Sequence, residues 1–280
     1  MADPRHDSVT APGAPPLAYT QAGAGADVVL IHGSLMTRAD LFMGLADSLV
    51  PEFRVTAFDR PGQGESGREG PTGTPWRQAA ALHAAAQSLG LQRPVLVGHS
   101  FGGAVALAWA MQFPEDLRGV VALAPIAFPE VRLEHLLFAP RSTPIVGPLM
   151  NETLAAGIDK ALLPILWSAM FKPQAIPERF ASTFPFNEAG SRAQVEADGE
   201  DAAFLNAGLM LSTMNYPACR TPVRIFGGGA DLVVNNNLHG KLLARLLPDG
   251  KYTDLEGLGH MVHHFAQAPI AEAVRDLAGR

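Results

Sequence analysis

Two rhythms alternate along most of this chain. Short apolar runs, read as strands, occur at Asp27–Ile31, Phe53–Phe58, Val95–Val97, Val120–Ile126 and Pro222–Phe226. Nearly continuous apolar runs of that length suit strands buried on both faces. Between them lie stretches with helical spacing. In Arg38–Leu49 the apolar residues fall at Leu41, Phe42, Leu45 and Leu49, and Pro51 marks the end. Trp76–Leu89 is Ala-rich and stops at Gly90, and Ala104–Met111 ends before Pro114. Leu17–Ala22 reads as a further short strand closed by Gly23-Ala24-Gly25, while residues 1–15 read as a loose arm.

From about Phe128 to Pro217 the rhythm changes. Prolines recur, among them Pro129, Pro140, Pro164, Pro173, Pro177 and Pro185, and short Leu-, Met-, Phe- and Trp-rich helical pieces lie between them. So many large apolar residues argue against a flexible linker. Strands and helices then resume with Pro222–Phe226, Leu238–Leu247, Lys251–Leu255 and Ala268–Leu277. The pattern predicts an α/β fold, a mostly parallel sheet flanked by helices, with its sites at the carboxyl ends of the strands. Residues 1–128 and 218–280 form the expected core, and 129–217 a helical cap inserted into it.

Composition narrows the function. Of 280 residues, 48% are apolar, enough for a large core. The net charge of −6 and the lack of a Lys/Arg run speak against nucleic acid or an anionic membrane as partner. The polar N-terminus lacks the apolar core of a signal peptide, and no apolar run reaches the ~18 residues of a membrane span. Cys219 is the single cysteine, so no intrachain disulfide forms. The expectation is a cytoplasmic monomer or homodimer acting on a small molecule.

The chemistry centres on Gly98-His99-Ser100-Phe101-Gly102, which follows the Val95 strand and opens a helix. G-x-S-x-G at such a junction is a nucleophile elbow: the serine sits on a sharp turn, and glycines on either side relieve collisions with neighbouring elements. The first N–H groups of the helix point toward the serine and can stabilise negative charge. A serine hydroxyl needs a base, and the base needs an orienting group. Asp231 follows the Pro222 strand and His260 follows the Lys251 strand, which makes Ser100, Asp231 and His260 the candidate nucleophile, orienting acid and base.

With these pieces the chain resembles the α/β-hydrolase family. The matching segments are His32-Gly33-Ser34, Asp59-Arg60-Pro61-Gly62-Gln63-Gly64-Glu65-Ser66, Gly98–Gly103, Gly228-Gly229-Ala230-Asp231 and Gly259-His260, in the family's order. The resemblance implies a serine hydrolase that uses neither cofactor nor metal. It also implies an oxyanion hole made by the backbone N–H groups of Ser34 and Phe101. Asp59 is then a brace for its Gly-rich loop. The serine at the elbow, where dehalogenases and epoxide hydrolases of this family carry an aspartate, counts against those two activities.

Other clusters carry less. His260, His263 and His264 have a His-x-x-His-His spacing, but no carboxylate accompanies them locally, so a metal is not expected. His99 reads as a packing residue, and Glu196, Glu200 and Asp201 as a solvated acidic face. Trp167, Met170, Phe171, Phe180, Phe184, Phe186, Leu209, Met210 and Met214 are candidates for an apolar substrate wall. The main reading is hydrolysis of small or medium apolar carboxylic esters or lactones through an acyl-enzyme on Ser100. One alternative is carbon–carbon bond hydrolysis of meta-cleavage products, with Arg141, Lys172, Arg179 and Arg192 as candidate groups for a substrate carboxylate. Peroxide-dependent turnover ranks below it. A ligand receptor or regulatory protein that retains the triad is the alternative of a different class.

Overall fold

The computed structural model describes residues 4–70, 72–131, 136–143, 147, 150 and 158–279. Parts of the expected arm (1–3) and insertion (132–135, 144–146, 148–149 and 151–157) lie outside them. In chain order the main elements are β1 (Arg5–Val9), β2 (Leu17–Ala22), β3 (Ala26–Ile31), α1 (Arg38–Leu49), β4 (Phe53–Phe58), α2 (Pro75–Ser88), β5 (Val95–His99), α3 (Phe101–Gln112) and β6 (Gly119–Leu123). The described residues then include the helices α4 (Ile158–Phe171), α5 (Glu178–Thr183), α6 (Phe186–Ala189) and α7 (Arg192–Asn215). The chain closes with β7 (Val223–Gly228), α8 (Leu243–Leu246), β8 (Gly250–Leu255) and α9 (Gln267–Ala278).

One sheet holds all eight strands in the order β1-β2-β4-β3-β5-β6-β7-β8. β1 and β2 run antiparallel to their neighbours, and every pair from β3–β4 to β7–β8 is parallel. The central strands are buried on both faces, as their continuous apolar runs require. On one face Leu41, Leu45 and Leu49 of α1 pack with Ile270, Val274 and Leu277 of α9. On the other, α2 and α3 cover the sheet with Leu82, Val105 and Trp109. The parallel arrangement gathers the loops after β3, β4, β5, β7 and β8 at one edge. Ser34, Asp59, Ser100, Asp231 and His260 lie on those loops or at their start.

Two local expectations are corrected. Residues 5–9 form a strand rather than a loose arm, pairing from Arg5 with Gln21 to Val9 with Leu17. Its residues are exposed up to Ser8, so backbone pairing at the sheet edge holds it and no apolar signal marks it. Leu238–Leu247 does not form one regular helix: Asn237–Leu242 is a π-helical stretch leading into α8. There Gly240 lies against the Tyr252 ring, and a Cβ at this position would come within 2.4 Å of it. His239 is turned inward, where its Nδ1 accepts the Ala127 N–H at 2.9 Å.

Between β6 and β7 the described residues are helical or irregular. Trp167, Phe171, Phe180 and Phe184 are buried in a separate apolar cluster with Leu35 and Met36. Within it Phe180 stacks on Phe184 at 4.5 Å. α7 is capped by Ser191, whose hydroxyl accepts the Gln194 N–H. Leu205 and Leu209 of α7 join the main core with α2 and α3. Among the described residues no helix is long and apolar enough to cross a membrane.

The central sheet sets global stability. Leu96→Ala in β5, fully buried, should lower the unfolding free energy by about 2–5 kcal/mol. Ser8→Ala on the exposed edge strand should change it by less than about 0.5 kcal/mol. Urea unfolding of both variants checks the contrast.

Candidate active site

β5 delivers Ser100 to the site on a turn that the rest of the fold enforces. Ser100 has φ 52° and ψ −115°, the strained backbone expected of an elbow serine. Its N–H donates to the Leu123 carbonyl at 2.9 Å, and its own carbonyl accepts the N–H groups of Gly103 and Ile126 at 3.0 and 3.1 Å. Gly98 and Gly102 are required on either side. A Cβ on Gly98 would lie 2.3 Å from the Gly102 carbonyl oxygen, and one on Gly102 would lie 2.1 Å from that of Ile31. Phe101 begins α3 directly after the serine.

His260 and Asp231 come together across the ends of β7 and β8. His260 Nδ1 lies 2.9 Å from Asp231 Oδ2, and both side chains are buried. Asp231 Oδ1 accepts the N–H groups of Val233 and Val234 at 2.7 and 3.0 Å. Burial opposes ionisation of Asp231, but the neighbouring His260 and these donors outweigh it and hold the carboxyl below its ordinary range. His99 Nε2 donates to the His260 carbonyl at 3.1 Å, so the packing residue before Ser100 also anchors the loop that carries His260.

Ser34, Ser100 and His260 line one cavity of about 440 Å³, within the roughly 300–1,000 Å³ common for small-molecule sites. Its other walls are largely apolar, with Leu35, Met36, Leu137, Phe138, Leu166 and Met170. Of the expected wall residues, Met170 reaches it. Trp167, Phe171, Phe180, Phe184 and Leu209 are core, whereas Met210 and Met214 are 61% and 78% exposed. Among the expected cations Lys172 lines the cavity. Arg141 pairs with Asp159, Arg179 with Asp47 and Arg192 with Glu196.

The acidic stretch of α7 is not a uniformly solvated face. Asp201 is fully buried; its Oδ2 accepts from Arg60 at 2.5 Å, and its Oδ1 from Gln78 Nε2 at 2.7 Å. Glu200 holds Arg68 and the Gly73 N–H, and Glu196 stays at the surface. Asp59 braces its loop by accepting the N–H groups of Arg38 and Glu65 at 2.7 and 3.1 Å.

His263 and His264 do have a carboxylate, supplied by α1. Asp40 Oδ1 lies 3.1 Å from His263 Nε2 and 2.8 Å from His264 Nε2. Asp40, His99 and His263 bring donor atoms within 4.8 Å of one another, but His263 Nε2 already engages the carboxylate and His99 Nε2 the His260 carbonyl. Burial works against ionisation of Asp40, yet His263 and His264 hold its pKa well below the ordinary range.

The profile described as "Alpha/beta hydrolase family" matches residues 28–274, so the chain belongs to that family. An uncharacterized protein of Mycobacterium tuberculosis is 25% identical over 274 residues, covering 92% of this chain and 76% of that one. Lipase LipV of the same organism is 34% identical over 123 residues, 42% of this chain and 45% of the lipase. The solved structure of an alpha/beta hydrolase fold protein from Burkholderia ambifaria superposes with a TM-score of 0.79 at 21% identity, covering 97% of this chain and all of that one.

A lowered carboxylate pKa stabilises the fold above the unfolded-state pKa and is lost as pH falls through the folded value. The protein should therefore lose stability as pH drops below about 4. Asp40→Asn should flatten that loss while lowering stability at neutral pH, measured by urea unfolding from pH 3 to 7.

Proposed function

We infer that the protein is a cofactor-independent serine hydrolase of small or medium apolar carboxylic esters or lactones. The observation that carries the reading is the shared cavity: Ser100 and His260 line the same apolar-walled space, and His260 is tied to Asp231 at 2.9 Å. In this reading Ser100 Oγ attacks the substrate carbonyl while His260 Nε2 takes its proton. Asp231 keeps Nδ1 as the donor and stabilises the imidazolium. The N–H groups of Ser34 and Phe101 hold the oxyanion, each worth a few kcal/mol in the transition state. The imidazolium then protonates the leaving alkoxide or lactone oxygen. Water activated by His260 releases the acid.

The helical segment 129–217 acts as the cap, roofing the acyl pocket with Leu137, Phe138, Leu166 and Met170. In this reading the protein works in the cytoplasm, as a monomer or homodimer. Lys172 at the cavity favours one second reading, carbon–carbon cleavage of a substrate that carries a carboxylate.

Hydrolysis of p-nitrophenyl esters of increasing acyl length tests the reading. Turnover should peak at one chain length, and Ser100→Ala should lower kcat by at least about 10³-fold. Activity undiminished in Ser100→Ala would overturn the nucleophile. Turnover of ring-fission diketones but not of esters would select the second reading.

A further inference from the structure

The loop leaving β3 carries Ser34, and it is gripped from two sides. From the core, Arg60 donates to the carbonyls of His32 and Gly33 at 3.1 and 3.2 Å, and His32 Nδ1 donates to the Gly33 carbonyl at 2.8 Å. A trans peptide points its C=O and N–H in opposite directions. Holding the Gly33 carbonyl against Arg60 and His32 therefore turns the Ser34 N–H the other way.

The second grip comes from the helical insertion. Trp167 Nε1 on α4 donates to the Leu35 carbonyl at 3.0 Å. The Asp198 carboxylate on α7 accepts the Leu35 N–H, at 3.3 and 3.2 Å from its two oxygens. Gln194 Nε2, also on α7, donates to the Met36 carbonyl at 3.0 Å. Leu35 itself has φ 59°, a left-handed conformation that a leucine rarely adopts without such support. Trp167, Asp198 and Leu35 are all buried.

We propose that Trp167 and Asp198 are positioning residues contributed by the insertion to the oxyanion site. They fix the two peptides that follow Ser34 and so keep its N–H aimed at the reacting carbonyl. The proposal rests on the serine-hydrolase reading above. It makes the cap a part of the catalytic assembly as well as a roof, because lifting α4 and α7 would release Leu35.

The chemistry of Asp198 supplies a readout that a purely structural contact would not. Burial pushes its carboxyl up to about 7, against the pull of Arg60; Asp201 adds to the rise, and the Leu35 N–H and Arg68 oppose it. Gln63 Nε2 also donates to it, at 3.4 Å. An ionised carboxylate accepts the Leu35 N–H more strongly than a protonated one, so the clamp tightens as pH rises through about 7. Stability runs the other way: a raised folded-state pKa stabilises below the unfolded value, near 4, and that contribution is lost as pH rises through about 7.

The test compares the native protein with Asp198→Asn and Trp167→Phe, using p-nitrophenyl ester turnover from pH 6 to 9 and deuterium exchange at the Leu35 amide. A displaced oxyanion donor should lower kcat by roughly 10-fold in both variants, with KM within about twofold. The native-to-Asp198→Asn ratio of kcat should rise through about pH 7, and urea unfolding should show the Asn variant gaining relative stability as pH rises from about 4 to about 7. Leu35 exchange should be faster in both variants. Values of kcat within twofold of native at every pH, or losses confined to KM, would overturn the proposal. If the native protein shows no turnover that depends on Ser100, the hydrolase reading fails. Exchange at Leu35 then decides the clamp alone, with unchanged rates refuting it.

Discussion

Ser100 adopts a backbone conformation that serine does not favour, and much of the molecule serves to hold it there. A residue in such a region costs on the order of 1–3 kcal/mol and persists only where its surroundings fix it. Those surroundings are the two strands flanking β5. β6 and the residues after it bind the serine's N–H and carbonyl, and β3 runs so close to α3 that Gly102 leaves no space for a side chain. The same proximity brings the loop after β3, with Ser34, to the side of Ser100. A sheet with β5 between β3 and β6 thus creates the sharp turn and lines the cavity beside it.

The features that were legible in the sequence are those written in local sequence. The elbow is a contiguous pentapeptide, and the central strands are apolar runs that only a doubly covered sheet accommodates. Asp231 and His260 are legible as candidates because each lies in a loop that follows a strand. The buried polar links were not legible. Asp201 sits in a run with Glu196 and Glu200 that looks solvated, and its partner Arg60 lies 141 residues away. A signal was present: buried Ala197, Asp198, Asp201, Ala202, Leu205 and Leu209 recur at helical spacing on one face of α7. Two acids on an otherwise apolar face imply a buried cation opposite. Asp40 was hidden in the same way, 223 residues from His263, and β1 offered no apolar pattern at all.

These long-range polar contacts add little net stability once the cost of burying charge is counted, but breaking one leaves an unpaired partner. Their effect is geometric. Asp40 ties α1 to the loop after His260, His99 ties the end of β5 to the same loop, and Arg60 with Asp201 ties the Gly-rich loop to α7. Apolar packing tolerates small shifts between layers, whereas hydrogen bonds to fixed carbonyls do not.

Helix α4 divides its labour residue by residue. Leu166, Ala169 and Met170 face the cavity, while Trp167, from the same turn, is bonded to the loop after β3. New side chains at 166, 169 and 170 can reshape the space offered to a ligand without disturbing the anchor at 167. Sequence drift, or a designed library confined to those three positions, would then explore new ligands while the loop beside Ser100 stays in place.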